Sequence, residues 1–142
     1  MTRQEQIRTM DVSKLAYIGD AVYELRVREK FLDAKTRNMD IQTKLNIRYV
    51  KAESQAYAIK KLMAELPQEE LNLVKRAKNH KITSKPQYVK PMTYKLATAF
   101  EAYIGYLYLT EDEKLCEVVE KAISIIDDGF KNKKIETRTR HE

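Results

Sequence analysis

A chain of 142 residues carries material for one domain, and 43% apolar residues suffice for a core. Scarce Gly and Pro (three each) amid abundant Ala, Leu, Lys and Glu favour helices; the single cysteine, Cys116, excludes an internal disulfide or Cys-rich metal site and fits a reducing compartment. A net charge of +6 attracts polyanions, nucleic acid foremost, while the polar start MTRQEQIRTM and the lack of any spanning apolar stretch point to a cytoplasmic protein with no membrane partner.

Helix-period patterning dominates, and no repeat or linker divides the chain. The first helix is read over Ser13–Leu32, capped by Ser13 or Asp11, with Leu15, Ile18, Val22 and Leu25 as one apolar stripe. A second helix covers Asp40–Leu66, turning Leu45, Val50, Ala56, Ile59 and Leu62 or Met63 inward. Pro67 opens a short third helix reaching Ala77, with Glu69 and Glu70 at the positive end of its dipole and Lys75 and Arg76 at the other. A loop bracketed by Pro86 and Pro91 spans Lys78–Pro91. Helices follow over Met92–Leu109 and Glu111–Asp128, Gly129 reads as a helix stop, and the basic tail 131–142 is expected to be disordered. The expected fold class is all-α, around five to seven helices forming one domain over 1–130.

Two acids sit among apolar residues. Opposite the main stripe of the first helix lie Ala16, Asp20, Val27 and Phe31, flanked by Tyr23, so the helix is apolar on both sides and expected to be largely buried. Along Met92–Leu109, Leu96, Phe100, Tyr103 and Leu107 form one face, and Ala97, Thr98, Glu101, Gly105 and Tyr108 the other. Gly19 beside Asp20 and Gly105 near Glu101 let two helix backbones approach and bring the carboxylates together. Two oxygen ligands plus waters suit Mg²⁺, which can activate water at a phosphodiester. The plain alternative is a pair of surface or ion-paired acids beside packing glycines, easily partnered in a chain with 27 basic residues.

The segment LAYIGDAVYELRVREKFL, Leu15 to Leu32, resembles the signature helix of ribonuclease III nuclease domains, in which a Gly-Asp pair follows an apolar dipeptide. YKLATAFEAYIGYLYL, Tyr94 to Leu109, looks like that family's second signature, and KLNIRYVKAESQA, Lys44 to Ala56, resembles its middle helix. The likeness covers Val12 to Phe130 and is greatest to the Mini-III subgroup, which lacks a separate double-stranded-RNA-binding domain. It implies a homodimer with a ribonuclease III-like helical fold, one active site per duplex strand, in which the surplus apolar face of the first helix helps to build the interface. It also implies Asp20 and Glu101 as metal-holding catalytic residues, Mg²⁺ as cofactor with Mn²⁺ as a substitute, and products with 5′-phosphate and 3′-hydroxyl ends. The implied substrate is double-stranded RNA, a precursor of large-subunit (23S) ribosomal RNA, with a ribosomal protein as a partner presenting it. Two further family acids are replaced here by Ala16 and Thr98, the Mini-III pattern.

Lys75, Arg76, Lys78, Lys81, Lys85 and Lys90 follow one another with His80 and no acid, a run suited to phosphates. With the resemblance, Arg76, Lys78, Asn79, Lys81 and Lys85 become the candidate RNA contacts, and Lys44 and Arg48 at helical spacing extend the track. A solvated charged loop is the bland counterpart. Two other functions stay open: a structured-RNA-binding module without catalysis, for which Ala16 and Thr98 speak, and a helical protein-interaction domain.

Overall fold

A computed structural model of the chain describes residues 1–32, 35, 38–81 and 88–136. Among these residues the structure is all-helical: α1 (Arg3–Arg8), α2 (Val12–Phe31), α3 (Met39–Val50), α4 (Ala52–Leu62), a 3-10 turn (Met63–Glu65), α5 (Gln68–Lys78), α6 (Pro91–Leu109) and α7 (Leu115–Lys131). The centre is α6, whose residues from Ala102 to Leu107 are all buried, together with Ala97, Ala99 and Phe100. A helix apolar all round belongs inside a bundle. Around it pack α2, most extensively, then α4 and α5, while α7 lies chiefly on α4. None of the described helices is long and apolar enough to cross a membrane.

Asp11, rather than Ser13, caps α2: its carboxylate accepts the Ser13 N–H at 2.9 Å. The polar N-terminus adds a short helix that apolar periodicity does not announce. Thr2 caps α1 by accepting the Glu5 N–H, and Ile7 buries itself in the core.

The single helix expected over Asp40–Leu66 is two helices and a 3-10 turn, broken at Lys51, which adopts an extended conformation. No Gly or Pro marks the break; side chains accommodate it instead. Three consecutive carbonyls at the end of α3 are taken by donors: Arg48 O by Ser54 Oγ at 2.6 Å, Tyr49 O by Tyr23 OH at 2.9 Å, and Val50 O by Gln55 Nε2 at 2.9 Å. A helix end whose carbonyls are satisfied in this way stops at little cost.

Gly129 does not stop the last helix. Both α6 and α7 end on non-glycine residues with positive φ, Glu111 (55°) and Lys133 (58°), each followed by a bond back to the last turn. Asp112 N–H reaches Leu107 O at 2.9 Å, and Lys134 N–H reaches Gly129 O at 2.7 Å. That left-handed turn at Glu111 delays α7 to Leu115, four residues later than expected. The segment read as the start of a disordered tail folds back instead: Ile135 is buried against Gly129, and Lys51 Nζ donates to Glu136 O at 2.7 Å. Residues 137–142 lie outside the described set, as does Lys85.

Candidate active site

The crossing of α2 and α6 is a backbone contact. A Cβ at Gly19 would lie 1.6 Å from the carbonyl oxygen of Glu101, and one at Gly105 would lie 2.0 Å from that of Leu15. Each glycine therefore admits the other helix's main chain, and no larger residue fits without separating the helices. One turn further along α2, Tyr23 meets Phe100 edge to face with centroids 4.7 Å apart and fixes the rotation of one helix against the other. Asp20 follows Gly19, and Glu101 is the residue whose carbonyl Gly19 receives, so the two acids lie close enough for the charge of Asp20 to act on Glu101.

Their surroundings differ. Asp20 is exposed, although the two-sided apolar pattern of its helix suggested burial; the buried face of α2 is Leu15, Ala16, Gly19, Tyr23 and Val27. Glu101 is half-buried, and its pKa is pushed up to about 8 by loss of solvent and then by the neighbouring Asp20 charge. Gln55 opposes that rise by hydrogen-bonding to Glu101. A carboxylate pair under mutual repulsion, one member open to solvent, is suited to share a divalent cation.

Gln55 is the member of this site that the sequence reading missed. It is 3% exposed at the start of α4, and its amide donates to Val50 O at 2.9 Å. Its signal was a polar residue at the i, i+4, i+7 spacing of Ile59 and Leu62, a face otherwise apolar. Ala16 is buried and Thr98 half-buried on the two crossing helices. Among the described residues no group of three or more His, Cys, Asp or Glu side chains is placed to hold a metal.

The candidate RNA contacts fall on two surfaces. Arg76, Lys78 and Asn79 lie at the C-terminal end of α5, with His80 and Lys81 just beyond. That end abuts the start of α2: Arg76 donates to Arg8 O at 2.6 Å and Met10 O at 3.2 Å, and His80 Nε2 lies 3.5 Å from Ser13 Oγ. Ser13 precedes Asp20 by two helical turns, about 10 Å along the axis. On α3, Lys44 is exposed, whereas the Arg48 guanidinium lies over the Phe130 ring at 4.0 Å and 3.8 Å from Asp127. Arg76 and Arg48 thus each have structural partners, and Lys78, Lys81 and Lys44 have no charged partner within ion-pair distance among the described residues.

The family model of the ribonuclease III domain matches residues 13–112, which contain both carboxylates and both crossing glycines. The Mini-ribonuclease 3 of Thermoanaerobacter sp. (strain X514) is 36% identical over 88% of this chain and 89% of its own length. That of Brevibacillus brevis is 38% identical over 89% of this chain and 98% of its own. A crystal structure of a Fusobacterium nucleatum protein, 36% identical, superimposes with a TM-score of 0.72 over 87% of this chain and 97% of that one. The chain belongs to the ribonuclease III family of endoribonucleases.

Proposed function

We propose that this protein is a homodimeric, Mg²⁺-dependent endoribonuclease that hydrolyses double-stranded RNA, the substrate class of its family. The observation that carries this reading is the glycine-locked crossing that sets Asp20 beside Glu101. The donor set fits the metal: two carboxylates, one exposed, leave room for the waters that Mg²⁺ retains. Asp20 and Glu101 would hold it, and Mn²⁺, with the same preference for oxygen ligands, is expected to substitute. When bound, the metal supplies an ionised water and neutralises charge on the phosphate. The protein's own part is positional. Asp20 faces the solvent from which the duplex arrives, Glu101 is held behind it, and Lys44, Lys78, Asn79 and Lys81 are available to backbone phosphates, with Arg76 and Arg48 beside them. Products would carry 5′-phosphate and 3′-hydroxyl ends.

The dimer is supported by an apolar face beside the site. Tyr17, Leu25 and Tyr108 are 80%, 57% and 48% exposed, and Ala21, Val22, Leu25 and Tyr108, rimmed by Arg26 and Glu29, line a shallow hollow of about 360 Å³. A two-fold axis through this face sets one carboxylate pair on each side of it, matching the symmetry of a duplex. On the resemblance read from the sequence, the expected cellular substrate is a precursor of 23S ribosomal RNA, presented by a ribosomal protein in the cytoplasm. Incubation of a long RNA duplex at low salt tests the core of this reading. Mg²⁺-dependent fragments with 5′-phosphate ends are expected; a duplex bound but left intact under both Mg²⁺ and Mn²⁺ would replace it with a non-catalytic RNA-binding module.

A further inference from the structure

We propose that Arg76 is a positioning residue rather than a phosphate contact: it fastens the basic end of α5 to the connection that leads into α2, so that a duplex held by Lys78 and Lys81 meets Asp20 in a fixed register. The inference rests on the reading of Lys78 and Lys81 as phosphate contacts and of Asp20 as a metal-holding acid, and it gives Arg76 a role different from theirs.

Contacts along one seam carry it. Arg76 Nη2 donates to Arg8 O at 2.6 Å and to Met10 O at 3.2 Å. Arg8 is the last residue of α1, and Met10 directly precedes Asp11, the cap of α2, so one guanidinium spans the turn between the two helices. Two turns earlier on the same face of α5, Glu69 pairs with the Arg8 side chain at 3.1 Å. Just beyond α5, His80 Nε2 lies 3.5 Å from Ser13 Oγ in the first turn of α2. Apolar packing does not set this register. Ile7 seats α1 in the core, but along the seam between α1 and α5 opens a hollow of about 410 Å³ whose lining, Arg8, Thr9, Glu69, Asn72, Leu73 and Arg76, is polar except for Leu73. Where side chains do not interdigitate, directional hydrogen bonds fix two elements against each other. A guanidinium suits that task, because its donors are planar and fixed in direction, whereas an ammonium is a compact, rotatable point charge. Ser13 and Asp20, seven residues apart, lie on one face of α2, and both are exposed. The basic end of α5 and the carboxylate pair therefore border the same face, and a shift at the clamp moves the phosphate grip relative to Asp20. A misplacement of about 1 Å between substrate and reacting groups costs up to about a hundredfold in rate.

The test compares Arg76→Lys and Arg76→Met with Lys78→Gln on the full chain. Three readouts are taken: kcat and KM on an RNA duplex with Mg²⁺, the salt dependence of duplex binding, and thermal melting. A phosphate contact and a clamp give opposite results in Arg76→Lys, because lysine keeps the charge and loses the fork. Both Arg76 variants are expected to lower kcat about tenfold, with KM within about twofold of wild type and an unchanged slope of log affinity against log salt. Lys78→Gln is expected to reduce that slope by about one, the loss of one phosphate contact. Rescue of kcat by lysine, or a reduced salt slope in Arg76→Met, would overturn the proposal in favour of a phosphate contact. A lowered melting temperature with wild-type kcat would overturn it in favour of a purely structural bond. Should Arg76→Met fail to fold, Arg76→Lys decides alone. Failure of the underlying readings is distinguishable: an unchanged slope in Lys78→Gln would remove the grip, and with it the proposal, and a wild-type protein that does not cut would remove the role of Asp20.

Discussion

At Glu101 the fold favours the proton and the chemistry favours its loss. Half-burial and the facing Asp20 raise its pKa from 4.5 to about 8, while Gln55 pulls the other way. Without metal, the folded protein keeps a proton through that window that the unfolded chain has already released. The linkage sign follows: the stability contributed by this group is fully present below pH 4.5 and is lost as pH rises through about 8. Thermal melts of the metal-free protein between pH 5 and 8.5 should fall with pH, and Glu101→Gln should flatten that fall and melt higher than wild type at pH 8. An unchanged slope in Glu101→Gln would place the titrating group elsewhere. Both acids were legible in the sequence as charges on apolar helices, because a lone carboxylate among Ala, Tyr, Leu and Ile breaks a pattern. The difference in their exposure was not legible, since it depends on which of two apolar faces α2 turns inward. That choice is made by Tyr23 and Val27, fully buried in the core, leaving Leu25 of the expected stripe outside.

Among the elements, the α2–α6 crossing decides whether a site exists at all. Gly19→Ala would put a methyl group 1.6 Å from the carbonyl oxygen of Glu101, backbone rather than a flexible side-chain end. The helices would have to part, with a destabilisation of about 3 kcal/mol, at the upper end of what overpacking costs. Chemical denaturation measures this, and a folded Gly19→Ala protein should also lose activity, because separating the helices separates the acids. An Ala variant with wild-type stability would contradict the close crossing. All three glycines sit inside helices as packing positions, Gly129 making room for Ile135 and Tyr57. The left-handed helix ends fall to Glu111 and Lys133, where a residue with a Cβ costs roughly 1 kcal/mol. That inversion explains why the glycine signal located the α2–α6 crossing correctly and the end of α7 wrongly. The break at Lys51 was invisible for a related reason: it is held by side chains of α2 and α4, and the contact of Tyr23 with Tyr49 O spans 26 residues.

At the scale of the molecule, one buried network and one uncovered face stand out. Glu70 is buried between α5 and α6, accepts the Tyr103 hydroxyl at 2.5 Å and pairs with Lys114, so the sequence between α6 and α7 is tied to the core by charge as well as by apolar contact. The uncovered face, Tyr17, Leu25 and Tyr108, is where a second copy is expected. Leu25→Glu places a charge in that face while leaving the monomer's core intact, since Leu25 is exposed in the single chain. Sedimentation should shift from dimer to monomer in this variant, and cleavage of both strands of a duplex should be lost; a wild-type monomer would remove the dimer from the proposal. The all-α class and the pairing of the two signature helices were legible because both depend on local periodicity. The latch formed by residues 132–136 depends on Lys51, Phe130 and Gly129 meeting in space, and no local pattern announces it.

The central claim is that Asp20 and Glu101 together perform the cleavage, and one measurement addresses it most directly. Wild type, Asp20→Asn and Glu101→Gln are compared for binding and for Mg²⁺-dependent cutting of the same RNA duplex. The expected result is duplex binding within a few-fold of wild type in both variants, with cutting reduced by at least about three orders of magnitude, the loss that follows removal of a group whose charge stabilises the transition state. Variants that bind and still cut at a wild-type rate would contradict the claim and move the chemistry away from the glycine-locked crossing.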